Sequence, residues 1–145
     1  MEAFPEAVAR AQAVAVRRYT VWIIVWACVM TYLALTMDSG DRTLRRLGPV
    51  LGLHGTLILT AILLRGPLSR GRKLGFCIGL AGFLALSQLG GAGITLFAKV
   101  NHPWPWTVTV AMGLSGLVAL RALLAMLLFR RALASDATAV ADTFS

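Results

Sequence analysis

Four stretches of the chain, 19–37, 47–64, 74–98 and 104–129, are almost wholly apolar, and segments bearing arginine or lysine hold them apart. The first three contain no Asp, Glu, Lys or Arg, and the fourth contains only Arg121. A run of ~18 or more apolar residues, coiled as a helix, spans the ~30 Å hydrocarbon layer of a bilayer. The pattern therefore predicts an all-α integral membrane protein, a four-transmembrane-helix antiparallel bundle.

The intervening segments fit that plan. Residues 1–18 are alanine-rich, with Glu6 and Arg10 spaced to pair along a helix. They read as a cytoplasmic helical extension of the first span. The first run is longer and richer in tryptophan than a signal-peptide core, so it reads as an uncleaved anchor. Asp38, Ser39, Gly40 and Asp41 are turn-forming residues between the first two runs. Arg42, Arg45 and Arg46 follow, with room for an extra helical turn. Gly48 and Pro49 suit a helix start, and Arg65-Gly66-Pro67 reads as a stop. The transmembrane domain is then 19–131, and the small, polar residues 132–145 read as a flexible cytoplasmic tail.

Composition sharpens this. Of 145 residues, 58% are hydrophobic and 14% charged, with a mean hydropathy of +0.77. A soluble domain carries roughly 25% charged residues. Four spans and their connections use nearly the whole chain, so any function resides in the bundle and its loops. The net charge of +8 sits at the ends of the apolar runs, where it sets topology and meets lipid headgroups. No basic, aromatic-interleaved surface remains for nucleic acid.

The same charges orient the chain. Arg10, Arg17, Arg18, Arg65, Arg70, Arg72, Lys73, Arg130 and Arg131 fall on one side, against Arg42, Arg45, Arg46 and Lys99 on the other. Basic residues mark the cytoplasmic side, which places both termini inside and the protein in the cell membrane as a multi-pass chain.

Glycine is concentrated in the third run, at Gly75, Gly79, Gly82, Gly90, Gly91 and Gly93. Small residues let helices approach closely in lipid, so this helix is expected to be the central, most enclosed one. Gly90 and Gly91 are candidates for a kink. Ala111, Ser115 and Ala119 form a second small-residue stripe in the fourth run.

Polar groups within a span are costly and each needs a reason. His54 lies seven residues into the second run, and Ser87 and Gln88 lie in the outer half of the third. Antiparallel packing would bring His54 and Gln88 together, with Tyr32, Asp38 and His102 at the same side and Trp104 and Trp106 as a roof. That predicts an outward-side pocket. His54 or Asp38 would supply acid/base chemistry there, and Gln88, Tyr32, Trp104, Trp106 and His102 would bind. Arg121 lies about 12 Å from the inner end of its run. It reads either as snorkelling to headgroups or as an anchor for a lipid phosphate or an anionic substrate.

Metal chemistry finds little support. His54 and His102 differ in depth, which argues against a haem held between them, and no acid or cysteine helps them hold zinc or copper. Cys28 and Cys77 have no CxxC spacing and unmatched depths. No metal and no cofactor is expected, and whether any reaction is catalysed is left open. The sequence favours a non-catalytic accessory or oligomer-forming membrane subunit, a homo-oligomer or part of a larger membrane complex. The alternative is a membrane enzyme, transporter or binder acting on a lipophilic ligand in the outward-side pocket.

Overall fold

The computed structural model describes residues 6–36, 41–98 and 106–143, and every one of its long elements is an α-helix. They are α1 (Glu6–Thr36), α2 (Asp41–Ser69), α3 (Leu74–Ala98) and α4 (Trp106–Thr143). α1 packs against α2 and α4, α3 packs along α4, and the α2–α3 seam is the loosest. The result is a helical bundle. Three of its helices contain stretches long and apolar enough to cross a membrane: Glu6–Leu35, Leu74–Phe97 and Trp106–Ser135. The apolar run of α2 begins within a part of the helix whose side chains are not described.

Each helix turns a periodic stripe inward. On α1 it is Val8, Ala15, Tyr19, Trp22, Trp26 and Leu33, all buried. The spacing of three, four and seven residues keeps these side chains on one face. On α4 the stripe is Ser115, Ala119, Ala122, Met126 and Phe129. Its small members suit the close packing of α4 along α1 and α3. Among the described residues α2 commits only Ala61 and Leu68 to the fully buried set, and it packs less extensively against the bundle than the other helices do.

The outer faces are as apolar as the inner ones. Leu35 and Phe97 are each 81% exposed, and Leu63, Phe83, Leu86, Ile94 and Leu117 also point away from the core.

The turn between α2 and α3 is built by backbone geometry. Arg72 N–H donates to the Pro67 carbonyl (2.9 Å) and Gly71 N–H to the Leu68 carbonyl (3.0 Å). This paired pattern, with a left-handed residue between, is a Schellman ending. Gly71 occupies the left-handed position at φ 69°, where a Cβ is unfavourable. Lys73, also left-handed at φ 60°, then presents its carbonyl to the N–H groups of Phe76 and Cys77. This end of the bundle is further tied by Gln12, whose amide donates to the Ser69 carbonyl (2.7 Å).

Several expectations change here. α2 does not stop at Arg65-Gly66-Pro67 but runs to Ser69. α4 continues through Thr143, so the segment read as a flexible tail is helical up to that residue. Its alanines have high helix propensity, and extending a formed helix carries no nucleation cost. Residues 6–18 are more than an extension: Val8 and Ala15 are in the core. α3 is continuous through Gly90 and Gly91.

The glycines also sort differently from expectation. Gly75 and Gly79 face outward, and a Cβ on either would meet nothing within 4 Å. Close approach occurs instead further along, between α3 and α4. A Cβ on Gly116 would sit 2.7 Å from Leu89 Cγ, and one on Gly91 would collide with the Met112 methyl. α3 is thus not the enclosed centre of the bundle. One of its faces is packed against α4, and the face carrying Gly75 and Gly79 is open.

Candidate functional site: a polar seam and an arginine cleft

Two groups of polar side chains lie within the bundle. The first begins at Tyr19 on α1. Its hydroxyl donates to the Ala61 carbonyl of α2 (3.1 Å), with the Cys77 thiol of α3 beside it. Tyr19 meets Trp22 edge-on at 5.3 Å, and Trp22 stacks on Trp26 at 5.4 Å. Tyr19, Trp22 and Trp26 thus form an aromatic ladder along the inner face of α1.

His54 completes the ladder. The Trp26 indole N–H donates to His54 Nδ1 at 3.3 Å, and the two rings meet edge-on at 5.8 Å. An imidazole nitrogen that accepts carries no proton, so neutral His54 bears its hydrogen on Nε2. No hydrogen bond joins His54 to Gln88 among the described residues. The expected His54–Gln88 meeting fails because the α2–α3 seam is loose and α2 leans on α1.

Gln88 is 4% exposed, and its Oε1 has no hydrogen-bond partner. Trp22 Nε1 on α1 and Ser115 Oγ on α4 share that condition. The Leu89–Gly116 contact places Gln88 and Ser115 at the same level of the α3–α4 interface. Three helices therefore each bury an unsatisfied polar atom: one donor, one acceptor and one hydroxyl that is both.

The second group lies between α1 and α4, nearer the α2–α3 turn. Arg17 and Arg18 of α1 and Arg121 of α4 line one cleft of about 390 Å³, with Val14, Val21 and Val118 as its apolar walls. Arg17 also borders a neighbouring groove on the α2 side. There Arg65 Nε donates to the Thr20 hydroxyl at 3.0 Å, which in turn donates to the Val16 carbonyl. Glu6, the one acid whose side-chain partner is defined among the described residues, pairs with Arg10 one turn away.

The remaining sequence candidates scatter. Tyr32 is half-buried toward the far end of α1, Ser87 is exposed, and Trp106 opens α4 with its ring mostly outside. Asp38, His102 and Trp104 lie outside the described residues. Arg121 stands with Arg17 and Arg18, away from His54 and Gln88. Among the described residues, no group of three His, Cys, Asp or Glu side chains gathers as a metal site would require, and both cysteines are free.

Trp22, Ser115, Arg17 and Arg18 did not stand out as site residues in the sequence. The arginines read only as topology signals, because a boundary placed at Tyr19 puts them outside the run. The buried Val8 and Ala15 show that the packed helix begins earlier.

No known protein family, curated protein or solved structure matches this chain.

Proposed function

We propose that the protein is a multi-pass cell-membrane subunit without catalytic activity of its own, which crosses the bilayer four times and associates with further copies of itself through the open face of α3. The observation that carries the reading is the pair Gly75 and Gly79, one turn apart, with open space where each Cβ would be. In a bilayer the hydrophobic effect does not drive helices together, and small residues that permit close backbone approach take over that role. Within the chain α3 meets α4 through Gly91, Gly113 and Gly116, so the Gly75–Gly79 face is left for a second molecule. The large apolar side chains on every outer face are the surface expected of a bundle bathed in hydrocarbon. The second helix joins the other three as a span because its run 47–64 is free of charge. Both termini are cytoplasmic by the distribution of arginine and lysine.

The test is the oligomeric state of protein extracted in native lipids, compared with Gly79→Leu. A defined oligomer that Gly79→Leu dissociates, with helical content retained, is the expected result. A monomer in both would overturn the reading.

A second reading has its own observation. Trp22, Gln88 and Ser115 bury three polar atoms that lack partners, and such atoms are normally satisfied. A lipophilic molecule that carries hydrogen-bonding groups, held between α1, α3 and α4, would satisfy them. Mass spectrometry of the extracted protein for a retained small molecule decides it.

A further inference from the structure

The cleft between α1 and α4 is lined by three arginines from two helices. Arg17 and Arg18 follow one another on α1, and antiparallel packing brings Arg121 to the same level. Like charges in one cleft repel, and a charge within an apolar run is costly unless compensated. Neither an acid nor an aromatic ring lines this cleft; its other walls are Val14, Val21 and Val118. Snorkelling would carry each arginine outward singly and does not call for a shared cleft. A ligand that suits the whole cleft carries negative charge for the arginines and hydrocarbon for the valines.

We infer that this cleft binds the phosphate headgroup of an anionic phospholipid from the cytoplasmic leaflet, with the upper acyl chain against the valines. Guanidinium groups engage phosphate oxygens through paired N–H donors, which a lysine cannot reproduce. Basic pockets between helices near the cytoplasmic side of a membrane are suited to such headgroups. The depth agrees. Arg121 lies eight residues from Phe129, about 12 Å along the helix, and Phe129 lies against the α2–α3 turn at Gly71. Arg17 lies five residues from Gln12, about 8 Å, and Gln12 is bonded to that same turn. All three arginines therefore sit just inside one end of the bundle. The inference rests on the membrane reading given above but not on self-association.

The experiment uses the full chain reconstituted in nanodiscs of phosphatidylcholine and phosphatidylglycerol in equal amounts, then released into the gas phase for native mass spectrometry. Wild-type protein is expected to retain phosphatidylglycerol in preference to phosphatidylcholine. Arg121→Gln should lower that preference about ten-fold, the loss of one charge-assisted contact. Arg18→Gln should lower it too, while Arg130→Gln should not. Arg121→Lys should fall between wild type and Arg121→Gln. Because Arg121 and Arg18 are separate substitutions on different helices, misfolding of one leaves the other to decide. Equal retention of the two lipids, or a preference untouched by either variant, would overturn the inference. Displacement of phosphatidylglycerol by inorganic phosphate at comparable concentration would overturn the lipid in favour of a free anion. Failure to enter nanodiscs at all would refute the membrane reading instead, and entry without lipid preference refutes only this one.

Discussion

Trp26 on α1 donates its indole N–H to Nδ1 of His54 on α2, at 3.3 Å. It sets the tautomer of His54 and ends the stack that Tyr19 and Trp22 begin. The side chain that His54 meets is thus an aromatic residue of α1, not Gln88 of α3.

That relationship predicts energetic coupling. Trp26→Phe and His54→Leu should each destabilise the bundle, and the double substitution should cost less than the sum. The coupling expected of an interhelical hydrogen bond in a membrane protein is about 0.6 to 2 kcal/mol. Reversible unfolding in mixed micelles, followed by circular dichroism, measures it. Strict additivity would mean that the bond contributes nothing.

Glycines of α3 and α4 should respond to substitution by alanine in a definite order. Gly116→Ala forces a Cβ to 2.7 Å from Leu89 Cγ and 3.1 Å from its backbone nitrogen, and such overpacking costs about 1–3 kcal/mol. Gly91→Ala meets only the flexible end of Met112, so it should cost less. Gly75→Ala meets nothing and should leave the monomer as stable as before. The same unfolding assay ranks them, and a large loss at Gly75 would contradict the packing described.

The α2–α3 turn makes a third prediction. Gly71→Ala should cost about 1–2 kcal/mol, the penalty of a Cβ in the left-handed region. The nearest atom to that Cβ is Phe129 Cζ at 3.9 Å, an ordinary contact, so the penalty is conformational and not steric crowding. Gly71→Asn should recover part of it, since asparagine tolerates this conformation. Equal losses for the two variants in thermal unfolding would point to crowding instead.

Ser115→Ala tests the buried polar atoms. If the hydroxyl is unpartnered, removing it should be neutral or stabilising, because the desolvation penalty of the hydroxyl disappears. A loss above about 1 kcal/mol in the unfolding assay would reveal a bound partner, and the same substitution should then release the molecule that mass spectrometry detects.

What was legible in the sequence follows from local physics. Long uncharged runs can only be helices that hide their backbone polar groups, so four helices were readable from composition and length alone, and α3 runs over 74–98 as its apolar stretch does. Arginine and proline were less reliable as boundaries. α2 passes through Pro67 to close on Gly71, and α1 and α4 continue past their apolar runs because alanine-rich sequence extends a helix already formed.

The partner of each polar residue was decided only by the tertiary structure. Depth along a helix can be counted from sequence, but rotation about its axis and the choice of neighbour cannot. Those depend on the aromatic stack of α1 that ends on His54, and on the close contact of Gly116 with Leu89. That packing turned His54 toward Trp26, left Gln88 Oε1 and Ser115 Oγ buried without hydrogen-bond partners, exposed Gly75 and Gly79, and set Arg121 beside Arg17 and Arg18. The sequence by itself determined helices and their apolar character, because those arise from each residue's own chemistry. Which faces meet is a property of shapes on separate helices, and it exists only once they are packed.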